Sequence, residues 1–232
     1  MSDRRNFILA GAAAFAFASA AHGKAAEGGK PVTANEDLMR EHGVLRRALM
    51  IYTIAAERLS EIGHADIDPQ VLARTARLFR NFGEDYHERK LEEELIFPAV
   101  RKLNGKVAGY PDILQQQHER GRALTEYVIR VTKGGNISSA DMDPLAQALR
   151  EFVMMYRTHA ALEDTEVFPA WKQSLSPRAY AEMGERFERI ERKTFGKDGF
   201  DDALKQVATL EQQFGMPTLS GITMPAPPAP GA

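Results

Sequence analysis

Apolar side chains recur every three or four residues from Thr33 to Gly215, the spacing of one face of an α-helix. No stretch of useful length alternates with the period of two that a strand requires. Helix 1 opens at Thr33-Ala34-Asn35-Glu36, a capping box, and carries the stripe Leu38, His42, Leu45, Leu49, Tyr52, Ala56, Leu59. Helix 2 starts at Asp68-Pro69, an N-cap followed by proline at the first helical position, with Leu72, Ala76, Phe79, Gly83 and His87 inward. Helix 3 begins near Pro111 with Leu114, His118, Gly121, Leu124, Val128 and Val131 inward. Helix 4 repeats the Asp-Pro start at Asp143-Pro144, with Leu145, Leu149, Phe152, Tyr156, His159 and Glu163 inward.

Two weaker helical segments follow, Pro177 to Phe195 after the Ser176 cap and Phe200 to Phe214, and are expected on the outside of the bundle. From Met216 the chain has five prolines and no charge, so a disordered tail is expected. The connections at about 60–68, 104–110 and 132–143 are short, which favours antiparallel neighbours. The expected fold is all-α: an antiparallel up-down-up-down four-helix bundle over 31–175, an additional C-terminal helical extension over 176–215, and the Pro-rich tail over 216–232.

Residues 1–30 read as an address and its linker. Asp3-Arg4-Arg5-Asn6-Phe7-Ile8-Leu9 precedes an apolar run from Gly11 to Ala21 that ends near Ala18-Ser19-Ala20, the layout of a cleavable export signal. The run is shorter than the roughly 20 apolar residues of a membrane span. The arginine pair resembles a bacterial twin-arginine signal, so the mature chain is expected in the periplasm or secreted, without stable membrane insertion.

Composition narrows the chemistry. The 232 residues are 44% hydrophobic and 27% charged with a net charge of −2, which gives no electrostatic case for nucleic acid. There is no cysteine, so disulfides, thiolate zinc sites and iron–sulfur clusters are excluded. Any metal must be held by His, Asp and Glu.

An internal repeat supplies those residues. His87-Glu88-Arg89-Lys90-Leu91-Glu92-Glu93-Glu94-Leu95-Ile96-Phe97-Pro98 in helix 2 parallels His159-Ala160-Ala161-Leu162-Glu163-Asp164-Thr165-Glu166-Val167-Phe168-Pro169 in helix 4. Glu41-His42-Gly43-Val44-Leu45-Arg46 in helix 1 parallels Gln117-His118-Glu119-Arg120-Gly121-Arg122 in helix 3. Each helix thus sets one histidine in its inward stripe. His159 and Glu163, four apart, share a helix face and can reach one metal or two adjacent ones. Four imidazoles and two carboxylates suit iron, manganese or zinc, whereas without a metal they would be buried polar groups lacking partners. Aligned on Pro98 and Pro169, the counterpart of Glu163 is Glu92, which lies five after His87 and so about 140° off its face in a regular α-helix. A π-bulge would restore it, with Glu88 and Glu93 as the fallback ligands. His64, in a loop, follows no pattern and reads as a surface residue.

These residues resemble the hemerythrin-like, or HHE cation-binding, family over roughly 35–172. The resemblance implies an antiparallel four-helix bundle around two non-haem iron ions bridged by two carboxylates. His42, His87, His118 and His159 would be terminal ligands, and Glu92 and Glu163 the bridges. Oxygen-carrying hemerythrins have a second histidine one turn after the helix 3 ligand, where this chain has Arg122. Four histidines instead of five, as in the bacterial iron–sulfur repair proteins of the same superfamily, imply more open positions for a diatomic ligand or peroxide. Those repair proteins also carry an N-terminal cysteine-containing segment that is absent here. Arg46 and Arg122, each four residues after a site histidine, either pair with outer carboxylates that steady the bridges or lie solvated on a helix flank. Tyr86 and Tyr156 read as packing residues.

Three functions compete: a small-ligand (oxygen, nitric oxide or peroxide) binding protein, a diiron oxidoreductase removing peroxide or nitric oxide, and a metal-storage or structural bundle. Ferritin-like oxidases place Glu before His in a Glu-x-x-His order, the reverse of this chain. Nucleophile-elbow and phosphate-loop motifs are absent.

Overall fold

The caps decide where the helices begin. In the computed structural model, which describes residues 32–60, 67–218 and 220–227, helix α1 spans Ala34–Ser60. Thr33 and Glu36 cap it reciprocally: the Glu36 amide donates to Thr33 Oγ1 at 3.4 Å and the Thr33 amide to Glu36 Oε2 at 3.5 Å. Helix α2 covers 69–100 without a break, beginning after Asp68, whose Oδ1 accepts from the Gln70 amide at 2.8 Å. A short 3₁₀ turn, Lys106–Gly109, leads into α3, Tyr110–Thr132. Helix α4 covers 139–173, α5 is Pro177–Phe195 behind the Ser176 cap, and α6 is Gly199–Gln213 behind Asp198. Among the described residues there is no strand, and no helix is long and apolar enough to cross a membrane.

One expected boundary is corrected. Helix α4 starts five residues before Pro144, not at it, because Ser138 takes the cap: its Oγ accepts from the Asp141 amide at 3.2 Å. Pro144 falls inside the helix, past the first turn, so the bond that its amide would have given to the Ala140 carbonyl is missing there. The export-signal residues and His64 lie outside the described residues. The described part of the tail, beyond Met216, contains no helix and is exposed wherever its side chains are described.

The four inward stripes meet in one core. Every stripe residue expected from periodicity is buried except Val131, which is half-buried. Its centre is aromatic: Tyr52 stacks on Phe79 at 5.4 Å, and Phe152 and Tyr156 meet Phe79 edge-on at 5.4 and 5.7 Å. Helices α5 and α6 lie against α1 and α2. Trp171 stacks on Phe187 at 5.9 Å, Tyr180 accepts from the Asn35 amide at 2.9 Å, and Arg47 pairs with Glu211. Arg58 donates to the Phe214 carbonyl at 3.0 Å.

Two glycines in these helices sit in opposite surroundings. A Cβ on Gly83 would lie 3.2 Å from Leu45 Cδ2, whereas one on Gly43 would meet nothing within 4 Å. Gly83→Val is expected to lower the unfolding free energy by about 1–3 kcal/mol through overpacking. Gly43→Ala is expected to raise it by up to about 1 kcal/mol through helix propensity alone. Urea unfolding of the two variants checks both signs.

Candidate metal centre

Backbone hydrogen bonding in α2 changes register where the chemistry lies. From Phe79 to Ile96 the bonds run i→i+5, and the Phe97 amide closes the segment on the Glu92 carbonyl. A local bulge is thus replaced by an 18-residue widened stretch, which carries Glu92 round to the face of His87. A second, shorter stretch that the sequence did not signal, Glu163–Val167, follows His159 in α4. A wider turn separates consecutive side chains by a smaller angle. Glu92 and Glu93, and likewise Glu163 and Asp164, can then all turn toward the bundle interior.

All six residues expected at the site converge there. His42, His87, Glu92, His118, His159 and Glu163 are at most 3% exposed. Glu92 lies between two imidazoles, its Oε1 3.1 Å from His87 Nε2 and its Oε2 3.2 Å from His118 Nε2. Glu163 Oε2 lies 3.0 Å from His159 Nε2 and 3.6 Å from His42 Nε2. The His118 and His159 Nε2 atoms face each other at 3.2 Å. The donor atoms form two groups that could each hold a metal ion, Glu92–His118–His159–Glu163 and His42–His87–Glu92, with a further group of Glu88, Glu93 and His118.

Each imidazole is held from behind through Nδ1. Asp164 engages His42 at 2.8 Å, Glu41 engages His87 at 2.5 Å, Glu93 engages His118 at 2.8 Å and Gln117 engages His159 at 2.8 Å. With Nδ1 engaged outward, Nε2 is the ring atom left facing the centre. Two arginines brace this outer layer: Arg46 pairs with Asp164, and Arg122 pairs with Glu93 at 2.5 Å while approaching Glu88 at 3.4 Å. The arginines therefore act on the carboxylates behind His42 and His118, not on Glu92 and Glu163. Phenylalanines of the two Phe-Pro steps cover two of the rings: Phe97 stacks on His118 at 5.5 Å and Phe168 on His42 at 5.6 Å. Tyr156 stacks on His159 at 5.5 Å, a packing contact with a site ring.

The donor set fits a cation. His42 Nε2, His87 Nε2 and both carboxylate oxygens of Glu92 and of Glu163 are buried without a hydrogen-bond partner, an arrangement that costs about 1–3 kcal/mol per group unless something positive lies between them. Burial alone would lower the His87 pKa, but the carboxylates of Glu92 and Glu41 outweigh it and hold it well above the ordinary value. Burial likewise opposes ionisation of Glu92, yet His87 and His118 hold its pKa well below the usual carboxylate range. A proton on the imidazole and a metal ion at Nε2 are alternative sources of the same positive charge.

The sequence reading did not assign Glu41, Asp164 and Gln117, and named Glu93 only as a fallback ligand. A signal was present: each of the four is the immediate neighbour of a site residue, Glu41 before His42, Gln117 before His118, Glu93 after Glu92 and Asp164 after Glu163. Two further carboxylates are buried: Glu88, also named only as a fallback ligand, and Glu84, which the sequence pattern did not single out. Glu88 is 1% exposed, and Glu84, also 1% exposed, accepts from Thr125 and has its pKa pushed to about 7 by burial.

The profile of the hemerythrin HHE cation binding domain matches residues 33–171. Two curated proteins described as uncharacterized, one from Mycobacterium tuberculosis and one from Mycobacterium bovis, are each 39% identical over 194 residues, covering 83% of this chain and 74% of theirs. No solved structure matches the chain significantly. With its four helix-borne histidines drawn around two shared glutamates, the chain belongs to the hemerythrin HHE cation-binding family.

Proposed function

We propose that this protein is a non-haem diiron protein that binds a small ligand (oxygen, nitric oxide or peroxide) at a centre held by His42, His87, Glu92, His118, His159 and Glu163. The observation that carries this reading is the orphaned set of inward-facing donors, each imidazole held outward through Nδ1 while its Nε2 points to the middle. His42 and His87 would hold one ion and His118 and His159 the other, with Glu92 and Glu163 between them. Nitrogen and carboxylate donors without thiolates favour iron over softer-ligand metals. Six protein donors for two ions leave open positions, and the bound iron would supply reversible or redox chemistry toward a small ligand there.

The chain's own residues do the remaining work. Asp164, Glu41, Glu93 and Gln117 orient the rings, Arg46 and Arg122 fix two of those carboxylates, and Phe97, Phe168 and Tyr156 keep bulk water from three of the imidazoles. The near-complete burial of all six donors supports a ligand of a few atoms. An up-down-up-down course for α1 to α4 belongs to the same proposal. It is supported by two ties between α1 and α4 that run in opposite sequence order, Arg46 to Asp164 and, later in α1 but earlier in α4, Ser60 Oγ to Arg150 Nη2 at 2.5 Å. An exported location is proposed from residues 1–30 alone.

Metal analysis of the purified protein is expected to find two irons per chain, with near-ultraviolet bands that shift on adding azide. No iron after anaerobic reconstitution with ferrous ion would reject the centre, and a spectrum inert to azide would leave a storage or structural bundle. Turnover of peroxide or nitric oxide would move the reading to an oxidoreductase. Asp164→Ala, which frees His42 Nδ1, is expected to weaken metal affinity about 10–100-fold with helix content unchanged by circular dichroism. Unaltered affinity would remove the positioning role given to Asp164.

A further inference from the structure

The centre is built twice. Exchanging α1 with α3 and α2 with α4 maps Asp164–His42 onto Glu93–His118, Arg46 onto Arg122, and the stack of Phe168 on His42 onto that of Phe97 on His118. The fourth pair breaks the correspondence. Glu41 backs His87 with a carboxylate at 2.5 Å, and its counterpart Gln117 backs His159 with a neutral amide at 2.8 Å. Exposure follows the same division: Glu41 is fully buried, while Gln117 is half-buried beside His159, the most exposed of the six site residues.

From this mismatch we infer that Gln117 makes the two metal positions unequal, so that the ion held by His118 and His159 is the more weakly bound and the exchangeable one. The inference rests on the two-ion reading above. A carboxylate behind an imidazole raises the electron density that Nε2 offers a cation, whereas an amide oxygen orients the ring without lending it charge. The His42–His87 half has two such carboxylates, Asp164 and Glu41. The His118–His159 half has one, Glu93. Glu88 adds a buried carboxylate near that second half, where it faces Arg122 at 3.4 Å instead of backing either imidazole. Its counterpart in the repeat, Ala160, carries no charge. The weaker position is also the one nearer solvent, which suits it to exchange of metal and to uptake of an external ligand.

The test is anaerobic titration of the metal-free full chain with Co(II), followed by its visible absorption and by calorimetry, a readout that needs no turnover. Two steps separated by at least about tenfold in affinity are expected. Gln117→Glu should strengthen the weaker step about tenfold or more and draw the two together, and Glu41→Gln should weaken the stronger step. A gain of affinity from Gln117→Glu cannot come from mere disruption of packing. Two ions bound with neither step moved by Gln117→Glu would overturn the inference and leave the two-ion centre standing. Fewer than two ions bound would reject both.

Discussion

Everything else in the bundle is arranged around a two-sided grip on four buried imidazoles. One ring nitrogen of each is fixed by a neighbour on another helix, and the other is left facing a shared interior. The grip sets the helix faces. A side chain that backs a histidine on one helix sits next in sequence to a site residue on its own, so turning one helix would spoil two contacts at once. Glu41 and His42, adjacent on α1, serve His87 and the centre respectively. The same linkage recurs for Gln117 and His118, and again for the pairs Glu92–Glu93 and Glu163–Asp164. Packing alone would be less selective, since an apolar core accepts other hydrophobic arrangements of similar volume. The polar layer does not, because each unmatched buried group carries its own desolvation penalty.

Most of the fold was legible because helices announce themselves by periodicity and by caps. The Thr33–Glu36 box, Asp68-Pro69 and Ser176 each cap a helix where the sequence placed one. Asp143-Pro144 misled, because a proline with an acid before it reads as a start, whereas Ser138 five residues earlier offered a better hydroxyl cap and the helix had room for it. The six inward donors were legible from the repeat. Their backing residues were harder to see, since Glu41, Gln117 and Asp164 look like ordinary polar flanks, and only the three-dimensional crossing of helices brings them to histidines 42 to 122 positions away in sequence. The placement of Glu92 needed a change of backbone register, which periodicity detects only as a residue out of phase.

The site lies in tension with the stability of its own fold. Glu41, Glu84, Glu88, Glu92 and Glu163 are all at most 1% exposed, and a core of hydrophobic residues of similar volume would be expected to fold at least as well. The arrangement is understandable as preparation for positive charge. Arginines neutralise the outer rim, and the middle is left for a cation. Binding then stabilises the folded chain by mass action, so part of this domain's stability is expected to depend on what occupies it.

The extra residue between His87 and Glu92 bears on how this chain should be compared with its kin. One half reaches from histidine to shared carboxylate in five steps and the other in four. Superposing the halves therefore requires a one-residue gap in the middle of an unbroken helix. An ungapped comparison would set Leu91 against Glu163 and report the carboxylate as lost, although the widened backbone has kept it in place. Searches for such centres by fixed spacing will pass over chains that absorb an insertion by loosening a helix instead of breaking it.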